Sequence, residues 1–144
     1  MSILQTVTTS CKIQLLQAVH NFGPTSPNTF KIALYTAAAN LNASTTVYDT
    51  SNEITGTGYT AGGNTLTGAS VNLDTATGVV YVSFSNTSWS NASFTCRGAL
   101  IYNTSKSNKS VAVLDFGSDK IVTSGTFTIT FPANTSTSAV IRSV

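Results

Sequence analysis

The sequence predicts an all-β protein, an antiparallel β-sandwich or jelly roll with one short helix near its N-terminus. Three observations lead there. Serine and threonine occupy 19 and 25 of the 144 positions, and the β-branch of threonine suits the solvent face of a strand. From Phe30 onwards apolar residues recur with a period of two in groups of strand length, the spacing that lines one face of a sheet. Clusters of Gly, Asn, Asp and Pro separate these groups at short intervals, as in hairpins rather than in strand–helix–strand units. A chain this rich in hydroxyl side chains could be disordered, but apolar groups run through its whole length and argue for a packed core.

The elements follow in order. Ser2–Thr9 is short and uncharged and has no obvious partner within a sandwich. Between Cys11 and Phe22, residues Leu15, Val19 and Phe22 fall at i, i+4, i+7, with Ile13 and Leu16 on an adjoining stripe, so a helix is expected over about 11–22. Thr9 or Ser10 is placed to cap it, and Gly23-Pro24 to stop it. Phe30, Ile32 and Leu34 alternate with Lys31, Ala33 and Tyr35 and read as a half-buried strand. Thr36–Tyr48 is a long connection without pattern, and Glu53–Gly63 is too glycine-rich for regular structure. Further strands are expected at Leu66–Leu73, Val79–Phe84, Phe94–Tyr102, Val111–Phe116, Gly125–Phe131 and Ala139–Val144. Turn signals lie between them, at Asp74–Gly78, Asn103–Asn108, Gly117–Asp119 and Pro132–Asn134. Without an internal repeat or linker, residues 1–144 form a single β-sandwich domain, with strands over about 29–144.

Charged residues make up 8% of the chain and the net charge is +2, against roughly 25% charged in ordinary soluble proteins. The seven basic residues are scattered, so a phosphate-driven nucleic-acid surface is not expected. A surface so poor in charge suits a protein housed in an assembly, and a hydrated Thr/Asn surface accounts for it equally well. No apolar run approaches the ~20 residues of a membrane span, and Met1-Ser-Ile-Leu-Gln-Thr lacks the basic start of a signal peptide. Cys11 and Cys96 match no metal spacing and are expected to be a free pair. Asn42, Asn86, Asn91, Asn103, Asn108 and Asn134 each begin an Asn-x-Ser/Thr sequence, about the number chance supplies in so Ser/Thr-rich a chain.

Catalysis needs titratable or nucleophilic groups gathered in one place. The chain has one histidine, His20, expected as an interface or surface residue of the helix. Asp49, Glu53, Asp74, Asp115 and Asp119 are its only carboxylates, and none stands at metal-ligand spacing. No catalytic, metal or cofactor-binding residue is therefore expected. Gly56, Gly58, Gly62 and Gly63 miss the dinucleotide fingerprint, and no helix follows them. Asp115-Phe116-Gly117 spells a kinase motif without any other kinase element and reads as a strand end followed by a turn. Trp89, Tyr59 and Tyr81 could form a sugar-stacking platform, or else one core Trp with Tyr at sheet edges. Arg97 and Asp115 lie in apolar strands: facing inward they would need each other, and exposure on an outer face is the commoner outcome.

Phe30–Thr36, Tyr48, Asn52-Glu53, Gly56–Tyr59 and Ala61–Gly63 resemble a recurrent opening in small virion proteins of tailed phages. Trp89–Asn91, Arg97-Gly98, Leu100–Asn103, Leu114–Gly117 and Phe131-Pro132 are similar to the same group in the same order. Within it the chain looks most like the cement or decoration proteins of short-tailed phage heads. That resemblance implies a non-enzymatic jelly roll or sandwich on the capsid exterior, a homotrimer made in the host cytoplasm. It implies the major capsid protein lattice as partner, and no nucleic acid or membrane. The matched residues imply fold rather than contact: the four glycines would allow positive φ or close approach, and Tyr59 and Glu53 would fix the loop. Ser2–Thr9 would cross to a neighbour or to the capsid. A head–tail adaptor, a tail or fibre-associated protein, and a carbohydrate-binding module are the alternatives.

Overall fold

The computed structural model describes residues 2–133 and 135–143. It is an all-β sandwich of two antiparallel sheets. The larger has the order β1-β7-β6-β2-β3, with β1 Thr6–Val7, β2 Phe30–Tyr35, β3 Asn64–Thr65, β6 Thr87–Asn103 and β7 Lys109–Ile129. The smaller is β4-β5-β8, with β4 Ser70–Asp74, β5 Val79–Ser83 and β8 Ile141–Ser143. The expected C-terminal strand is present in part; Val144 lies outside the described residues, as does Asn134 of the expected Pro132–Asn134 turn.

Strand β2 departs from the half-buried reading. Phe30, Ile32 and Leu34 enter one core with Ala99, Ile101, Val82, Phe84 and Ile141. Ala33 and Tyr35, on the opposite face, enter a second with Leu100, Tyr102, Val113 and Ile3. Alternation in the sequence marks two faces but does not say that either is wet, and here the second is covered by the N-terminal segment and by Ala39, Leu41 and Tyr48. Ser2–Thr9 therefore has the partner within the chain that was not expected of it: Thr6 and Val7 pair with Val113 and Ala112, and Leu4 N–H donates to Leu41 O.

The expected strands Val111–Phe116 and Gly125–Phe131 are one strand, β7, and Gly117–Asp119 is not a turn between them. Cys96 pairs with Lys120 and Gly98 with Asp115, so residues 116–119 bulge out of a ladder that continues on either side. Gly117 sits there at φ 80°, and its N–H donates to Asp115 Oδ1 at 2.8 Å. Likewise β6 begins at Thr87, seven residues before the expected Phe94, because Asn91 at φ 49° absorbs a bulge that hides the pattern. In the opposite sense, only Ser70–Leu73 of the expected Leu66–Leu73 is strand, in β4; residues 66–69, with Gly68 at φ 67°, connect it to β3.

Helix α1 is Thr9–Leu16, capped by Thr8 rather than Thr9 or Ser10, with Thr8 Oγ1 accepting from Cys11 N–H. It stops six residues before Phe22. Ala18 adopts φ 59°, Ala18 N–H donates to Leu15 O and Val19 N–H to Gln14 O, the bond pattern of a Schellman C-cap. The chain then turns back so that His20 and Phe22 enter the interior, and Gly23-Pro24 follows in a loop. Alanine occupies the left-handed position that glycine fills without a Cβ penalty. Ala18→Gly is expected to stabilise the fold by about 0.5–1 kcal/mol after the greater entropy of the unfolded glycine is counted. A thermal melt should show a rise of about 2 °C; an unchanged or lower Tm would remove the strain argument.

Candidate functional site

The polar side chains converge on Glu53, which bridges to Tyr35 at the end of β2. Its Oε1 accepts from Tyr59 O–H at 2.6 Å and Gly62 N–H at 2.7 Å, and its Oε2 from Tyr48 O–H at 2.6 Å. Tyr59 Oη in turn accepts from Leu34 N–H, Tyr102 O–H donates to Gly62 O, and Tyr48 stacks on Tyr102 with centroids 4.5 Å apart. Both carboxylate oxygens are thus engaged by the fold, and the group ties residues 48–63 to β2 and β6. Tyr59 and Glu53 fix the loop. The four loop glycines all have positive φ. At Gly63 an added Cβ would lie 1.7 Å from Ile32 O, and at Gly56 2.6 Å from Ser93 O, so close backbone approach requires both.

His20 lies past the end of α1 and is buried, not at the helix surface. Its Nδ1 accepts from Asn103 Nδ2 at 2.9 Å and its Nε2 donates to Gln14 Oε1 at 2.8 Å, the neutral tautomer these partners select. Burial, then Lys109 and Lys106, hold its pKa below the usual 6.5. Asn103 is wholly buried and also donates to Asn28 Oδ1, so this Asn-x-Ser/Thr asparagine is a packing group; Asn134 lies outside the described residues. Cys11 and Cys96 are free and buried, with burial raising each thiol to about 12.

Arg97 and Asp115 do meet, Nε to Oδ1 at 3.2 Å, and both remain about 30% exposed, between the two outcomes considered. Asp74 accepts from Ala76 N–H and Thr77 N–H in the β4–β5 turn and from Ser136 O–H between β7 and β8, and Asp49 accepts from Ser51 N–H. Among the described residues no three His, Cys, Asp or Glu side chains come together as a metal site. Trp89, Tyr59 and Tyr81 form no platform. Trp89 is buried with Tyr59, Phe94 and Phe127 around it, while Tyr81 stands on the small sheet beside Asn72 and Arg142.

What the sequence reading missed is an apolar side. Helix α1 turns Ile13, Leu15 and Leu16 outward, Leu16 at 93% exposed, and buries only Cys11. The pairing of β4, β5 and β8 sets Val71, Leu73, Val80, Val82 and Ile141 on one face of the small sheet. Val82 and Ile141 close on the core; Val71, Leu73 and Val80 extend beyond it and stay largely open. Six of the nine exposed large apolar side chains of the described residues therefore belong to α1, β4 and β5. Between helix and sheet runs a groove of about 840 Å³ lined by Leu15, Leu16, Phe22, Val71, Val80 and Val82. The helical stripe was legible; its direction was not, because the early C-cap removes Val19 and Phe22 from it.

Two pH dependences follow. Burial, and the Glu53 carboxylate with it, hold the phenols of Tyr35, Tyr48, Tyr59 and Tyr102 above their ordinary 10, Tyr102 at about 12. The unfolded chain loses these protons first, so stability falls as pH rises above 10. Absorbance at 295 nm should report these four tyrosines ionising together with loss of near-UV circular dichroism. Titration near pH 10 with the fold intact would contradict the geometry. His20 acts in the opposite direction: its stabilising share is complete above 6.5 and is lost as pH falls toward the lowered folded value, so denaturant midpoints should decline from pH 7 to pH 5. Compared with protein-family models, with curated proteins and with solved structures, the chain matches none.

Proposed function

We propose that this chain is a non-enzymatic structural protein of a tailed-phage virion, a cement protein that binds the expanded head lattice from outside and stiffens it. The observation that carries the reading is the one-sided apolar surface of α1, β4 and β5 on a sandwich whose Glu53, Tyr48 and Tyr59 are engaged in holding its own loop. A contiguous apolar patch of this kind marks an interaction face. The resemblance of the short motifs Phe30–Thr36, Gly56–Tyr59, Ala61–Gly63, Trp89–Asn91, Leu100–Asn103 and Leu114–Gly117 to small virion proteins suggests the setting.

The mechanism is avidity. With few charges to steer encounter or build ion pairs, each contact is modest and largely apolar. A homotrimer on a local three-fold engages three capsid subunits together, and linked contacts raise avidity by ~10² to 10⁴ without new chemistry. Binding driven this way persists at high salt, because screening acts on exposed charge.

The test is sedimentation of free protein with expanded, undecorated heads and, separately, with unassembled capsid subunits, at low and high salt. Co-sedimentation with heads at both salts, and little binding to free subunits, is expected. Leu16→Glu places a charge on a side chain outside the core and should abolish co-sedimentation while leaving the melting temperature within about 1 °C. Failure to bind heads, with capture by a tail or neck fraction, would replace this reading with a head–tail adaptor or tail role. Binding to polysaccharide instead would point to a carbohydrate module. A monomer by light scattering at micromolar concentration would remove the trimer.

A further inference from the structure

One wall of the groove between α1 and the small sheet is five consecutive residues, His20 to Pro24. That wall is fastened to the body of the sandwich by the Phe22 ring, stacked on Phe30 with centroids 4.5 Å apart, and by the His20 imidazole, held by Asn103 at the end of β6. The bonds that shape the rest of it are its own: Gly23 N–H donates to Asn21 Oδ1, and Asn21 Nδ2 to the carbonyls of Thr25 and Ser26. Asn21 and Asn28 then close the loop, each backbone N–H bonding to an oxygen of the other residue.

The polar groups around His20 admit one arrangement. Asn103 Oδ1 accepts from Ser105 N–H at 3.0 Å, capping the 3₁₀ turn Thr104–Lys106. Asn28 Oδ1 accepts from Asn21 N–H at 2.9 Å and from Asn103 Nδ2 at 2.9 Å. Backbone donors thus fix which end of each amide is oxygen, and the second hydrogen of Asn103 Nδ2 points at His20 Nδ1. A protonated imidazole is a donor at both nitrogens, so its Nδ1–H would meet that hydrogen. Turning the Asn103 amide over would give up the cap on Ser105 and set two amide oxygens, its own and that of Asn28, against each other. The charged groups around the ring are cationic. Lys106 of the 3₁₀ turn and Lys109 of β7 act on it, and Lys12 of α1 and Arg142 of β8 line the groove it borders, which no carboxylate lines. Lys31 of β2 lies on the opposite face, beside Gly62.

We propose that His20 is a proton-operated latch on this groove: protonation at Nδ1 expels the ring from Asn103, frees residues 20–24 from the end of β6 and opens the apolar side of the molecule at that wall. The latch is a property of the folded chain alone and stands apart from what that side binds.

The chain has one histidine, so its imidazole resonances are unambiguous in a pH titration followed by NMR. Held as a neutral acceptor, the ring should titrate with a midpoint below 6.5. Once freed it titrates at its ordinary value, so the opening equilibrium rises by up to about tenfold for each pH unit between 6.5 and that midpoint. Amide-exchange protection of Asn21 and Asn28 should fall by the same ratio while the β2–β6 ladder keeps its protection. His20→Asn retains an acceptor opposite Asn103 and takes up no proton, so its Asn21 and Asn28 protection should not change with pH. A wild-type midpoint at or above 6.5 would overturn the proposal, as would flat Asn21 and Asn28 protection below 6.5 or the same loss retained in His20→Asn. Equal loss across the β2–β6 ladder would also overturn it, because the ring would then act on global stability only. The wild-type titration and exchange decide the matter even if the variant does not fold.

Discussion

Strands β2 and β6 send alternate side chains into two different cores, and neither core can be left open to water. This constraint governs the rest of the chain. One face is closed by the small sheet with Phe22, Phe84 and Phe131; the other, among the described residues, has no sheet over it and is closed by irregular chain, the N-terminal segment and residues 36–48. Irregular chain carries backbone donors and acceptors that need partners when buried. The phenols of Tyr35, Tyr48, Tyr59 and Tyr102 meet part of that demand, bonding to Asp49 O, Glu53, Leu34 N–H and Gly62 O. The Glu53 carboxylate is the point at which a glycine-rich stretch without its own secondary structure becomes a rigid lid.

The same requirement explains where polar chemistry goes in a chain with so little charge. His20, Asn103 and Thr8 each join segments distant in sequence, Glu53 gathers Tyr48, Tyr59 and Gly62 from its own loop, and each has hydrogen-bond partners inside the fold. A network satisfied in this way gives a unique arrangement, because any alternative packing leaves a buried group unpaired. The side of the molecule formed by α1, β4 and β5 follows the opposite rule. There apolar side chains outnumber the neighbours available to cover them, so the open part of the sandwich coincides with the proposed interaction surface.

Much of the architecture was legible in the sequence and its interruptions were not. Threonine content, period-two alternation and turn residues indicated the fold class, and Val79–Ser83 appears where alternation placed it. Gly117 and Asp119 read as a turn because the same residues serve bulges and turns; only the pairing of Cys96 with Lys120 distinguishes them. The half-buried reading of β2 failed because what covers a face is a tertiary fact, here settled by Ile3, Leu41 and Tyr48. The helix was read too long because Ala18 carries no sequence mark of a C-cap. In the site, Glu53 and Tyr59 stood out through the glycines around them, whereas the apolar groove depends on which way an eight-residue helix faces.

The pairing of β1 with β7 also orders events in time. Thr6 and Val7 bond to residues 113 and 112, and Thr8 Oγ1 to Ser110, so the first strand has no sheet partner until more than a hundred residues have been made. At about 5–20 residues per second that wait lasts some 5–20 s. The last strand, Ile141–Ser143, closes on β5 from the other end of the chain. The central β6–β7 hairpin, whose strands are neighbours in sequence, is the element able to form before β1 and β8 find their partners. Long-range closure of this kind makes folding slow relative to helical proteins of similar size. Throughout that interval the apolar rows of β2 and β6, buried in the finished sandwich, lack their covers.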